Sequence, residues 1–124
     1  EWEKEIVQYF VDTKNEKMVE HNKARGNKIF YDAPVVFVIS MEDGKGIDVG
    51  IMAQSIALAA KGMGIDSVIL GLPRVSFDPK YEGKWYKTLK FPENHVYGIS
   101  VAVGYGDEPG RQREIDMSKV SYVD

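Results

Sequence analysis

From Trp2 to about Ala24 the apolar residues Trp2, Ile6, Val7, Tyr9, Phe10, Val11 and Met18 return at near-helical spacing among many Lys and Glu. That period predicts a helix or a broken helix pair. Asp12 or Thr13 is the expected N-cap of the second half, with Glu16 three residues after Thr13 in capping-box register, and Gly26-Asn27 ends it. After Ala33-Pro34 the period changes. Val35-Val36-Phe37-Val38-Ile39 is apolar and largely β-branched with no polar alternation, which predicts a central strand covered on both faces.

A glycine-rich turn, Glu42-Asp43-Gly44-Lys45-Gly46, leads into residues 47–62, apolar nearly all round and stopped by Gly62 and Gly64. A helix of that kind must be buried. Ser67-Val68-Ile69-Leu70 reads as a second short buried strand, closed by Gly71-Leu72-Pro73. Strand, helix and strand within so few residues predict a βαβ-like crossover. The aromatics Phe77, Tyr81, Trp85, Tyr86 and Phe91 follow among lysines, with a short helix expected near 84–89. His95-Val96-Tyr97-Gly98-Ile99-Ser100-Val101-Ala102-Val103 is the third strand, ending at Gly104-Tyr105-Gly106. In the polar tail, Val120, Tyr122 and Val123 alternate and predict an edge strand, offered to this chain or to another subunit.

The length, 124 residues, is that of one domain, and 44% hydrophobic residues supply its core. Sixteen Lys plus Arg against nineteen acids give a net charge of −3, the wrong sign for a domain that lives on nucleic-acid backbones. With no cysteine there is neither a disulfide framework nor a thiolate site, so a reducing, cytoplasmic setting is expected. The apolar stretch in residues 47–60 is interrupted by Asp48, Gly50, Gln54 and Ser55 and is too short for a membrane span, which needs roughly 20 residues. The alternating charges of Glu1-Trp2-Glu3-Lys4-Glu5 do not form a signal peptide.

Several chemistries are weakened by what is missing. His21 and His95 are the only histidines and form no zinc spacing, and no serine stands in a G-x-S-x-G elbow. Gly44-Lys45-Gly46-Ile47-Asp48-Val49-Gly50 follows a strand and opens a helix, as a nucleotide-binding turn does. Its spacing is GxGxxxG, however, and Glu42, Asp43 and Asp48 crowd the helix end with carboxylates that repel a pyrophosphate. Arg111 and Arg113 are spaced to share one dianion, or else belong to a solvated tail. The aromatic cluster from Phe77 to Phe91 can roof a planar ligand or cover a core.

Taken in order, six stretches resemble the C-terminal part of the nitroreductase family of flavin enzymes, over residues 31 to about 120. They are Asp32-Ala33-Pro34-Val35-Val36; Asp48 through Gln54 to Leu58-Ala59-Ala60; Gly64-Ile65-Asp66-Ser67-Val68-Ile69-Leu70-Gly71; Leu89-Lys90-Phe91-Pro92-Glu93; Val101-Ala102-Val103-Gly104-Tyr105; and the Arg111/Arg113 tail. The resemblance implies one α+β domain over residues 1–124, an α/β sandwich with a central sheet flanked by helices. It implies FMN at a homodimer interface, NAD(P)H as reductant, and a nitroaromatic, quinone or similar planar acceptor.

By the same resemblance the backbone of Ile69, Leu70 and Gly71 lies near the flavin N5, and Arg113 or Arg111 holds the phosphate. No side chain is expected to act as a nucleophile, because the cofactor carries the hydride. The family's N-terminal Arg-x-Ser-x-Arg and Ser-x-Asn-x-Gln-Pro stretches have no counterpart here, so the chain is expected to be incomplete relative to the family, either a piece of a longer protein or a remnant. Two alternatives stand beside the enzyme: a flavin-free remnant serving as a binding or interaction module, and a nucleotide-binding domain using the Gly44 to Gly50 turn.

Overall fold

The computed structural model describes residues 1–110 and 112–123. Two helices open the chain, α1 (Trp2–Asp12) and α2 (Glu16–Ala24), as the broken periodicity predicts. The break lies one residue pair later than the capping-box pattern suggests. Thr13 closes α1, its hydroxyl donating back to the Tyr9 carbonyl at 2.8 Å. Lys14 then turns the chain at φ +53, and the Asn15 side chain accepts from the Met18 amide at 3.2 Å to cap α2. Ile6 and Phe10, four residues apart on one face of α1, join Ile29 in a buried cluster to which Trp2, Val7, Met18, Phe30 and Leu72 add cover.

The sheet has three strands, β1 (Val35–Glu42), β2 (Asp66–Leu70) and β3 (His95–Gly104), in the order β1-β3-β2. Both outer strands run antiparallel to β3 and therefore parallel to each other. The crossover through α3 (Gly46–Gly62) is thus present, but β3 is inserted between the two strands it joins. The apolar run expected at the centre of the sheet, Val35 to Ile39, forms an edge, with Val35 and Phe37 48% and 44% exposed in the single chain. β3 occupies the centre instead and buries Tyr97, Ser100, Val101 and Ala102. A bulge marks its middle: Ile39 pairs with Ile99 and Ser40 with Tyr97, leaving Gly98 as the extra residue. A Cβ on Gly98 would stand 2.8 Å from the Ile39 carbonyl oxygen and from a Val49 methyl, so α3 approaches the sheet where β3 has no side chain.

Helix α3 turns only a narrow stripe inward, burying Val49, Ala53 and Ala60. Ile47, Ile51 and Leu58 are 80%, 62% and 64% exposed. The complete burial expected of so apolar a helix is not reached within one chain, because three strands and the adjoining segments cover one face of it.

The aromatic segment belongs to the core. A 3-10 turn (Leu72–Phe77) and the short helix α4 (Lys84–Thr88) bring Phe77 against Tyr97 and Phe91, with centroids 4.7 and 5.3 Å apart. Trp2 stacks on Trp85 at 4.9 Å. Each indole is satisfied: Trp2 Nε1 donates to the Ser76 hydroxyl at 2.7 Å and Trp85 Nε1 to the Glu5 carboxylate at 2.8 Å. Lys84 bridges Glu1 and Glu5 across the same seam, which lowers the Glu1 carboxyl pKa and raises that of the lysine. These contacts tie α1 to the segment that follows β2. The described tail, residues 112–123, contains a 3-10 turn (Met117–Lys119) and no strand; Val120, Tyr122 and Val123 are exposed. Among the described residues the predicted edge strand is not formed, and the free edges of β1 and β2 stay unpaired by the tail.

Candidate functional site

β2 is paired on one side only, with β3, and its other edge is open. At its C-terminal end Leu70 points inward and is buried, while Ile69 and Gly71 are exposed. The Leu70 carbonyl is held from inside the sheet, where the Tyr97 hydroxyl donates to it at 3.1 Å and lies 2.9 Å from the Ser100 hydroxyl. Burial pushes the Tyr97 phenol up to about 12, against the opposing pull of Ser100 and of the Arg74 guanidinium. At neutral pH it is therefore a neutral donor, and the corner of backbone it grips is fixed.

Gly71 sits at φ −91, ψ −20, a conformation open to any residue. A Cβ built there meets nothing within 4 Å. Neither backbone strain nor packing inside this chain calls for glycine at this position; what its missing side chain leaves is free space directly over the end of β2. That space belongs to a cleft of about 680 Å³ between β2 and α2, lined by Val68, Ile69, Leu70, Gly71 and Leu72 on one side and by Lys17, Met18, Glu20, His21, Arg25 and Tyr31 on the other.

Arg25, the cap residue at the end of α2, forms the corner between this cleft and a second of about 410 Å³ beside Tyr105. Its Nη2 donates to Asn22 Oδ1 at 3.2 Å, its Nη1 donates to the Tyr31 hydroxyl, and the guanidinium lies 5.2 Å from the centre of the Tyr31 ring. Asn22 is itself buried. Reading the sequence missed this residue. The available signal was an arginine closing a helix with no acid three or four residues to either side.

Of the residues expected to touch a flavin, the fold brings Ile69, Leu70 and Gly71 together on this cleft. It does not bring Arg113 there: that residue is exposed and is not among those lining the cleft. Arg111 lies outside the described residues. None of residues 44–50 lines the cleft either, and α3 begins with Asp48 in its first turn and no side-chain cap. Among the described residues there is no cluster of three or more His, Cys, Asp or Glu able to hold a metal, and no helix long and apolar enough to cross a membrane.

Comparison with known proteins gives this architecture a lineage. The model of the family described as "Nitroreductase family" matches residues 2–105. The match takes in α1 and α2, which the residue-level resemblance beginning at Tyr31 left out, and it stops short of Arg111 and Arg113. No curated protein matches the chain. Among solved structures, an FMN-bound nitroreductase from Desulfitobacterium hafniense is 28% identical, with a TM-score of 0.91 over 99% of this chain and 68% of its own. An FMN-bound nitroreductase from Bacteroides fragilis shares the fold at 21% identity, with a TM-score of 0.74 over 99% of this chain and 71% of its own. An FMN-dependent nitroreductase from Clostridium difficile, 27% identical with a TM-score of 0.64, is matched over 77% of this chain and 61% of its own. With helices, split crossover and open β2 edge all inside the matched region, the chain belongs to the nitroreductase family.

Proposed function

We propose that this chain is an FMN-dependent oxidoreductase that uses NAD(P)H to reduce a small planar acceptor such as a nitroaromatic or a quinone. The observation that carries the reading is the corner at Leu70 and Gly71. There a rigidly held strand end meets open space that a Cβ would otherwise fill, in a region that matches the family. The fit is that of a flat ring edge laid against backbone. When bound, FMN would supply the hydride-transfer chemistry between NAD(P)H and the acceptor.

The residues of the chain bind and orient. Ile69, Leu70 and Gly71 present backbone to the ring, and Tyr97 keeps the Leu70 carbonyl from turning toward it. Arg113 or Arg111 is assigned to the phosphate; Arg113, exposed and outside the lining of its own cleft, is assigned to a partner's. That partner is a second copy of this chain. The exposed apolar positions Ile47, Ile51, Met52 and Leu58 of α3 supply the surface for a C2 homodimer, the usual closed solution for one self-complementary patch. A cytoplasmic setting, where NAD(P)H is at hand, belongs to the same reading.

The test is the visible spectrum of the purified protein after FMN titration, followed by NADH and NADPH oxidation with a nitroaromatic and a quinone. Stoichiometric flavin and acceptor-dependent oxidation are expected. A protein that takes up no FMN refutes the reading and leaves the flavin-free binding module. Sedimentation at micromolar concentration tests the assembly, where a monodisperse 14.0 kDa monomer refutes the dimer.

A further inference from the structure

A guanidinium carries five N–H donors. The hydrogen bonds of Arg25 use one on each terminal nitrogen, to Asn22 and to Tyr31. Its Nε is shut away from solvent without a partner, so the donors still free to meet a ligand are the remaining ones on Nη1 and Nη2. The Tyr31 ring and the buried Asn22 side chain fix the plane of the group. No ion pair among the described residues engages it. A positioned guanidinium without a carboxylate partner, at the rim of a cleft, is a receptor for an oxyanion.

Of the two clefts it borders, only one suits an anion. The cleft beside Tyr105 is also lined by four carboxylates, Asp32, Asp66, Asp107 and Glu108, against one further cation, Lys28, which is paired with Asp32. The cleft at Gly71 sets Lys17 and Arg25 against the single carboxylate of Glu20, with His21 beside them. We propose that Arg25 is a specificity-determining residue, selecting planar aromatic acceptors that carry a carboxylate and binding that carboxylate from the α2 side of the Gly71 cleft. The proposal rests on the functional reading above and adds the class of substrate. Asn22 and Tyr31 act through Arg25 as positioning residues.

The experiment compares para-nitrobenzoate with para-nitrobenzamide, which share the nitro group and the ring and differ in charge. The FMN-loaded wild-type protein is expected to show a KM for the benzoate about tenfold to hundredfold below that for the benzamide, the range of a charge-assisted pair. Arg25→Gln should bring the two KM values together by raising that for the benzoate about tenfold to hundredfold, with the FMN Kd unaltered. Arg25→Lys, which keeps the charge without the fork, should retain part of the preference.

A preference that survives in Arg25→Gln, or that is missing from the wild type, overturns the proposal. So does a weaker FMN Kd in Arg25→Gln, which would place the guanidinium on the cofactor's own phosphate. Calorimetric titration of the chain with benzoate separates this proposal from the functional reading. If no FMN binds, the flavin reading falls, while benzoate binding that is lost in Arg25→Gln still upholds the anion site, and binding that is absent or unaltered overturns it.

Discussion

Replacing Gly71 by valine separates two reasons for finding a glycine at the end of β2. If the residue served the turn, a side chain would strain the backbone and the protein would lose stability. The structure argues otherwise, since φ is −91 and a Cβ meets no atom within 4 Å. Removing glycine's extra freedom from the unfolded chain should be neutral or slightly stabilising, by up to about 1 kcal/mol. For a domain of this size that is a shift in Tm of about 4 °C or less. Flavin binding should respond differently. The Cβ and two methyl groups of valine occupy the space assigned to the ring edge, and forcing extra groups into a fitted contact costs about 1–3 kcal/mol, or roughly fivefold to 150-fold in Kd. Melting temperature and FMN Kd, the latter from quenching of flavin fluorescence, are measured on the same preparation. A stable Gly71→Val protein with an unaltered FMN Kd would refute the placement of the ring.

The remaining predictions concern the sheet, its phenol and the tail. Gly98→Ala should lose about 1–3 kcal/mol in urea unfolding, because the added methyl lies 2.8 Å from both the Ile39 carbonyl oxygen and a Val49 methyl; unchanged stability would mean that α3 does not pack on the bulge. Tyr97 holds its proton to about 12 in the folded protein against an ordinary value of 10.0, so its contribution is complete below pH 10. It is lost as pH rises toward 12, by about 2–3 kcal/mol, and unfolding of wild type and Tyr97→Phe at pH 9 and 11.5 should show the steeper decline in the wild type. Arg113→Ala should weaken FMN binding about tenfold to hundredfold if the tail grips the phosphate, and an unchanged Kd removes it from the site.

Helix and strand identity was legible for the main helices and the three strands, because each obeys its own period, but not for the tail, where Val120, Tyr122 and Val123 alternate without forming a strand. Trp2, Ile6 and Phe10 repeat as a helix does, and Val35 to Ile39 can only be a strand. The end of β2 at Gly71 was legible too, as a strand followed by Gly-Leu-Pro. What the sequence could not show was which strand lies in the middle. A run such as Val35 to Ile39 records how much apolar surface must leave water, while the identity of the covering element depends on pairing partners dozens of residues away. β3, bare of a side chain at Gly98, is the strand that Val49 of α3 approaches, and that is a property of packing between elements. The same distinction governs the site. Ile69, Leu70 and Gly71 are adjacent in sequence and reach the cleft together, whereas Arg25 arrives from a helix more than forty residues earlier and is aimed by Asn22 and Tyr31. A single chain pattern carries no signal for a side chain's direction across such a gap; only the placing of α2 across a cleft from the end of β2 decided it.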